Sequence, residues 1–142
     1  MTKSLQNLVE INKALAHPVR VRIVSMLRGG PLCVCQVTAV VKLAVSTVSA
    51  HLSELRRAGI VLEQKSGKWV EYRLSEDGPH VPIVDALLPV LASDARLKAD
   101  DRILRELRKV PVDELCQVDL DLKELGRPKL ERAAAAAEKI AQ

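Results

Sequence analysis

Two cysteines separated by a single residue occur in the segment GGPLCVCQVTAVV, where Cys33 and Cys35 fall at the predicted start of a helix. Thiolates are preferred ligands of soft metal ions, and the dipole and unpaired N–H groups of a helix N-terminus lower the pKa of a thiol. We therefore predict that Cys33 and Cys35 deprotonate readily and bind a soft ion. The alternative is that both are small buried hydrophobic residues.

The one-residue spacing sets a geometric condition on that site. Residues i and i+2 of a regular helix point about 200° apart, so the sulfurs of Cys33 and Cys35 face one ion only if the first helical turn deforms. Cys116 is the only other thiol, and the sequence leaves open whether it reaches them. Because no segment is long and apolar enough to cross a bilayer, we expect a cytoplasmic protein. In a reducing cytosol, three cysteines without the spacing of a secreted disulfide scaffold are typical of ligands or sensors.

The charge is unevenly distributed along the 142 residues. Residues 1–75 carry eleven Lys and Arg against four Asp and Glu, whereas residues 76–142 carry eleven against fourteen. A basic first half favours contact with a polyanion. No segment approaches the roughly 18 apolar residues that cross a bilayer, so no membrane contact is expected. With no Phe, one Trp and one Tyr, the core must be aliphatic, which favours packed helices.

Helical periodicity and helix-breaking residues predict the elements that position these side chains. The alternation on both sides of Ser66–Lys68 predicts two antiparallel strands. The first predicted helix ends near Ala16, and the second begins at Pro18 and stops at Gly29. Further helices are predicted over about 34–43, 46–58, 82–91 and 95–110, and at the Ala-rich end.

The order helix, tight break, helix, glycine and basic hairpin is typical of a winged helix-turn-helix, a mainly α fold with a small β-hairpin. Its second helix enters the DNA major groove, and Val48, Leu52 and Leu55 form the inward stripe of that helix. The remaining side chains of the helix, with the basic residues of the hairpin, are the candidates for phosphate and base contacts. These DNA-binding candidates are Ser46, Thr47, Ser49, Ala50, His51, Ser53, Arg56, Arg57, Lys65, Lys68 and Arg73.

We divide the chain into a winged helix-turn-helix and dimerisation domain, residues 1–95, and a helical extension, residues 96–142, with a partly mobile tail. The helix at 82–91 carries more apolar surface than one small domain covers. That excess favours a homodimer formed through the terminal helices, and burial within one chain is the alternative.

Four segments, LAHPVRVRIVSML, LCVCQV, STVSAHLSELRRAGIV and GKWVEYRL, resemble the ArsR/SmtB family of metal-sensing repressors. The resemblance covers roughly Leu5 to Leu91. It implies a homodimer that represses an operon by binding an inverted-repeat operator and releases the DNA when metal binds. Where that family commonly begins its recognition helix with Ser-Gln-Pro, this chain has Ala44, Val45 and Ser46. The usual cap serine is lost, so Ser46 is the expected cap.

Within that family, the Cys-Val-Cys segment is similar to the arsenite- and antimonite-responsive type. The resemblance implies that trivalent arsenic or antimony is the inducer and that Cys33 and Cys35 are ligands. Related repressors often place a third cysteine where this chain has Thr38. The third ligand is then either Cys116, from its own or the partner chain, or a water or small thiol.

Other functions lead to different expectations. A thiol-redox repressor would respond to oxidation, and a zinc-responsive repressor could use His17, His80 and Asp85. A DNA-architectural protein would bind with little sequence preference. An enzyme, such as a thiol oxidoreductase or an arsenate reductase using Cys33, is not expected, because the sequence has no Cys-x-x-Cys, phosphate-binding glycine loop or Ser/His/Asp set.

Overall fold

Eight α-helices and three short strands follow one another along residues 3–140, the part of the chain that the computed structural model describes. The order is α1 Lys3–Leu15, α2 Pro18–Leu27, β1 Leu32–Cys33, α3 Val34–Val41, α4 Val45–Arg57, β2 Val61–Ser66, β3 Trp69–Leu74, α5 Val81–Val90, α6 Ala95–Leu107, α7 Val112–Gln117, a 3₁₀ turn Leu122–Leu125, and α8 Pro128–Glu138.

Local signals explain most helix boundaries. The Nδ1 atom of His17 accepts a hydrogen bond from the Val19 N–H, which caps α2 ahead of its first residue, Pro18. Lys42 ends α3 in the left-handed conformation, with φ of 57°. The prediction that Ser46 caps α4 is wrong: Ala44 occupies the cap position without a side-chain hydrogen bond, and Ser46 lies inside the helix.

The wing has three strands rather than the two predicted. Strands β2 and β3 pair antiparallel from Val61 opposite Leu74 to Ser66 opposite Trp69, and the residues between them form the turn. The two-residue strand β1 pairs with the other edge of β3, so the order is β1-β3-β2. A strand of two residues shows no alternation in the sequence, which is why it was not predicted.

One aliphatic core joins the helix-turn-helix to the extension. Val48, Leu52 and Leu55 of α4 are fully buried, which confirms the predicted inward stripe. The same core also contains Leu115 of α7 and Leu130 of α8. Helix α8 packs on α6, and α7 packs on α3, so the extension lies against the element that carries Cys35.

Two arginines also connect α6 to the N-terminal body. Arg22 of α2 donates two hydrogen bonds of 2.9 Å to the carboxylate of Asp100, whose side chain is 3% exposed. Arg108, at the end of α6, donates to the backbone carbonyls of Met26, Gly30 and Pro31. The Arg108 contacts hold the loop that leads into the cysteine segment.

The helices are short. In the part of the chain described by the structure, none is by itself long and apolar enough to cross a membrane. Among the described helices, only α3 and α4 taken together have sufficient length and apolar composition, and the chain bends by 114° between them.

Candidate thiol centre and nucleic-acid interface

The structure brings Cys116 to the cysteine pair from the same chain. The Cys116 sulfur lies 3.7 Å from the Cys35 sulfur, because α7 packs against α3. Cys33 is buried, Cys35 is half-buried and Cys116 is exposed, and all three are free thiols. The group therefore extends from the protein interior to its surface.

Cys33 precedes the first helical turn instead of lying in it. It is the N-cap of α3, with φ of −85° and ψ of 164°, and its backbone N–H donates to Oε1 of Gln36 at 2.9 Å. The 200° separation predicted for two residues of one helix therefore does not apply. In this conformation the Cys33 and Cys35 thiols are close enough for each to affect the pKa of the other.

The expectation that the helix N-terminus makes these thiols readily deprotonated is wrong. Burial raises the pKa of Cys33, although hydrogen bonds from the backbone of Gln36 and Cys35 act in the opposite direction. Burial, followed by the hydrogen bond with Cys116, raises the pKa of Cys35 to about 12. Loss of hydration outweighs the helix dipole here, so both groups are neutral thiols near pH 7.

Thr38 occupies the position where related repressors often have a third cysteine. It lies three residues after Cys35, on the same side of α3, and is 6% exposed. Its hydroxyl oxygen makes no hydrogen bond within the described residues. Within residues 3–140, no three or more His, Cys, Asp or Glu side chains are arranged so that they could hold a metal ion. This includes the three cysteines. Ligand binding at the thiols therefore requires some movement.

The residues of the zinc alternative have other partners. His17 caps α2 and its ring centroid lies 4.4 Å from that of His51. His80 is buried, with Nε2 2.9 Å from the carbonyl oxygen of Ser75, and Asp85 accepts a 3.1 Å hydrogen bond from Arg28. Over the described residues these side chains do not assemble into a metal site.

The candidates on α4 are divided by exposure. Ser46, Thr47 and Ala50 are exposed on the outer face of the helix. The others are partly covered: Ser49, His51 and Ser53 are half-buried. Burial, followed by the charges of His17 and Arg20, lowers the pKa of His51. A neutral His51 offers one donor and one acceptor near this face.

Most of the basic candidates have acidic or polar partners within the chain. Lys65 is the exception, since no ion pair or hydrogen bond holds its side chain within residues 3–140. The pairs are Arg56 with Glu63 at 3.1 Å, Arg57 with Glu54 at 2.8 Å, Lys68 with Asp113 at 2.9 Å, and Arg73 with Gln64 at 3.1 Å.

Two residues near these sites were not singled out from the sequence. The Nε atom of Arg20 is buried without a hydrogen-bond partner in the described residues, and its charge acts on His51. Asp113 of α7 pairs with Lys68 in the wing turn. Only the basic character of Arg20 signalled a role, and the helix that carries Asp113 was not recognised.

The thiol centre contacts both DNA-binding elements. Helix α3, which carries Cys35, packs on α4. Strand β1 places Cys33 opposite Glu71 of the wing strand β3. Helix α4 is the second helix of the helix-turn-helix, and β2–β3 form a basic hairpin after it. This arrangement is that of a winged helix-turn-helix transcription regulator, here with three clustered thiols.

Comparison with known proteins agrees with that class. The family model described as bacterial regulatory protein, arsR family, matches residues 17–62. The arsenic resistance transcriptional regulator ArsR1 of Pseudomonas putida is 38% identical over 102 residues, covering 70% of this chain and 78% of that protein. The arsenical resistance operon repressor of Escherichia coli is 41% identical over 75 residues, covering 52% and 62% respectively. The chain belongs to the ArsR family of transcriptional repressors.

Solved structures show the same fold. The transcriptional repressor BigR from Xylella fastidiosa has a TM-score of 0.57 and 29% identity, over 66% of this chain and 91% of that one. The homodimeric winged helix-turn-helix DNA-binding domain of Mb0332 from Mycobacterium bovis has a TM-score of 0.54 and 29% identity, over 63% and 82%. The first is a transcriptional repressor and the second is a DNA-binding domain; the chain, as a member of the ArsR family, is a transcription regulator and not an enzyme.

Proposed function

We propose that this ArsR-family repressor binds operator DNA as a homodimer and releases it when trivalent arsenic or antimony binds Cys33, Cys35 and Cys116. The observation that carries the proposal is the 3.7 Å separation of the Cys35 and Cys116 sulfurs. This distance supports Cys116 of the same chain as the third thiol. Related repressors often have that thiol at the position where this chain has Thr38. The names of the arsenic-resistance relatives support the choice of metalloid.

The protonation state of the site suits a trivalent metalloid. Three neutral thiols condense with one As(OH)₃ to give three As–S bonds and three waters, so no net proton is released. A divalent ion such as zinc needs thiolates, and its binding releases protons to solvent. Because burial raises the pKa of Cys33 and Cys35, the thiol centre favours the first reaction.

Two packing contacts support a connection between the thiols and the DNA-binding elements. Movement of Cys35 shifts α3, which packs on the recognition helix α4. Movement of Cys33 shifts β1, which is paired with the wing strand. A ligand that favours the shifted arrangement over the DNA-competent one weakens DNA binding by the ratio of its two affinities.

The DNA interface in this proposal consists of the exposed face of α4 and basic side chains. The exposed face of α4 reads base edges, and basic side chains of the wing contact phosphates. These are the DNA-binding candidates, Ser46, Thr47, Ser49, Ala50, His51, Ser53, Arg56, Arg57, Lys65, Lys68 and Arg73.

The homodimer is supported by apolar side chains left uncovered on the terminal helices. Leu8 of α1 is 45% exposed and Val90 of α5 is 77% exposed. The related Mb0332 domain is homodimeric. In a two-fold dimer the same surface of each protomer forms the interface, so these apolar side chains would cover those of the second copy.

Fluorescence anisotropy of the reduced protein on its own upstream DNA tests the proposal. We expect arsenite or antimonite to release DNA from the wild type, and Cys33→Ser, Cys35→Ser or Cys116→Ser to reduce that release sharply while leaving metalloid-free binding intact. Specific DNA binding that no metalloid reverses would overturn the proposed inducer. Normal release from Cys116→Ser would reduce the site to two protein ligands.

The same thiol contact favours a second candidate, a repressor released by oxidation. Cys35 and Cys116 could form a disulfide, losing two protons and two electrons to a two-electron oxidant such as a peroxide. The raised pKa of Cys35 slows this reaction, because the thiolate is the reactive form. Reversible release of DNA by peroxide but not by arsenite would favour this candidate.

A further inference from the structure

Helix α7 contacts two separate parts of the repressor. Its Asp113 forms an ion pair with Lys68, in the turn of the wing, with Oδ1 2.9 Å from Nζ. Its Cys116 has its sulfur 3.7 Å from that of Cys35. Asp113 and Cys116 are three residues apart and so lie on the same side of the helix. One rigid turn of α7 therefore connects the thiol centre with the wing.

The Asp113 carboxylate and a DNA phosphate would compete for Lys68. Lys68 is a candidate for a phosphate contact, and the negative charges of Asp113 and of a phosphate repel each other when both approach its ammonium group. Both side chains are largely exposed, 69% for Lys68 and 57% for Asp113, so the pair is weak and changes an equilibrium constant by only a few-fold. A weak pair is readily exchanged for a phosphate when α7 can move away.

We propose that Asp113 is a positioning residue that transmits the state of the thiol centre to the wing. When Cys116 is held together with Cys33 and Cys35, α7 is fixed against α3, and Asp113 keeps Lys68 away from DNA phosphates. Without that ligand, α7 yields and Lys68 exchanges Asp113 for a phosphate. This inference rests on the proposed function and adds a residue outside both the thiols and the DNA-binding face.

The chain offers a matched control and an internal reporter. Glu114, the next residue of α7, pairs with Arg127 of the extension at 3.1 Å, so Glu114→Gln removes the same charge from the same helix without touching the wing. Trp69, the only tryptophan, lies in the wing with its ring centroid 5.4 Å from Nζ of Lys68. Its fluorescence therefore reports on the position of Lys68 without DNA.

The first experiment measures DNA affinity by anisotropy with and without arsenite. We expect the arsenite-induced loss of affinity to be about two- to fivefold smaller in Asp113→Asn than in the wild type, as befits one exposed ion pair. Asp113→Glu should restore the wild-type response, and Glu114→Gln should retain it. In a Lys68→Gln background, Asp113→Asn should have no further effect, because the partner is already gone.

The second experiment follows Trp69 emission in DNA-free protein. We expect Asp113→Asn to change the metalloid-free emission, and arsenite to change the emission of the wild type more than that of Cys116→Ser. If arsenite releases DNA from Asp113→Asn as fully as from the wild type, the positioning role is wrong and the proposed function stands. If arsenite does not release DNA from the wild type, the proposed function is wrong and the coupling fails with it.

Discussion

The Cys116 sulfur lies 3.7 Å from the Cys35 sulfur although 81 positions separate them in the chain. Thr38, one turn after Cys35, lacks the thiol that related repressors often have there, and α7 of the extension brings the Cys116 thiol to Cys35. The ligand geometry of the proposed site thus depends on how the extension packs, which makes residues 112–117 part of the sensor.

Moving the third thiol back onto α3 should rescue the loss of Cys116. We expect Cys116→Ser to respond poorly to arsenite and the double variant Cys116→Ser with Thr38→Cys to regain DNA release, because positions 35 and 38 share a side of α3. The matched control is Thr38→Ser in the Cys116→Ser background, which keeps a hydroxyl and should not rescue. Anisotropy titrations with arsenite measure the effect; equal responses of both double variants would contradict it.

The raised pKa values predict slow thiol chemistry in the folded protein. At pH 7 to 8 we expect iodoacetamide to alkylate Cys33 and Cys35 more slowly than it does in urea-unfolded protein, because fewer thiolates are present. Mass spectrometry of peptides resolves each site, with exposed Cys116 as the internal reference. Equal rates for Cys35 in folded and unfolded protein would contradict the effect of burial.

The same shift has a defined sign for stability. Since the folded state raises the pKa of Cys35 from 9.0 to about 12, it retains the proton more tightly than the unfolded chain does. This contribution is complete below pH 9 and is lost as the pH rises towards 12. We expect wild-type stability to fall more steeply than that of Cys35→Ala above pH 9, measured by urea unfolding; parallel profiles would refute the linkage.

The Arg22–Asp100 pair should dominate the attachment of α6 to α2. We expect Asp100→Ala to lower the free energy of unfolding by about 3–5 kcal/mol, because it leaves a largely buried guanidinium without its partner. The neighbouring Asp101→Ala, whose side chain is 72% exposed and pairs with Arg105, should cost less than about 1 kcal/mol. Denaturant titrations compare the two, and similar losses would show that burial does not decide the outcome.

Lys65 should act as a phosphate contact that requires no exchange of partners. We expect Lys65→Gln to weaken binding to all DNA sequences alike and to reduce the slope of log K against log salt concentration by about 1. Lys129→Gln, on α8 and outside the wing and α4, is the control and should keep the wild-type slope. A loss of affinity confined to one operator sequence would instead indicate base readout by Lys65.

The helix-turn-helix was predictable because its signals are local. Pro18, the Gly29–Pro31 break and Gly59 mark helix ends, and Val48, Leu52 and Leu55 recur with helical spacing. The wing hairpin was equally visible as an alternating pattern. These residues specify the DNA-binding body without information from distant parts of the chain.

The thiol centre was only half predictable, because it depends on tertiary packing. The placement of Cys116 against Cys35 depends on α7, a six-residue helix too short to show a clear period. The thiol pKa values were predicted with the wrong sign, because the degree of burial around Cys33 is not written in its local sequence. Strand β1, with two residues, was missed for the same reason as α7.

X-ray absorption at the arsenic K-edge tests the central claim most directly, because it counts the sulfur atoms bound to arsenic in the loaded protein. With one equivalent of arsenite and no small thiol present, we expect three sulfur neighbours in the wild type and two, with a lighter third neighbour, in Cys116→Ser. Fewer than three in the wild type, or three in Cys116→Ser, would contradict a site completed by Cys116.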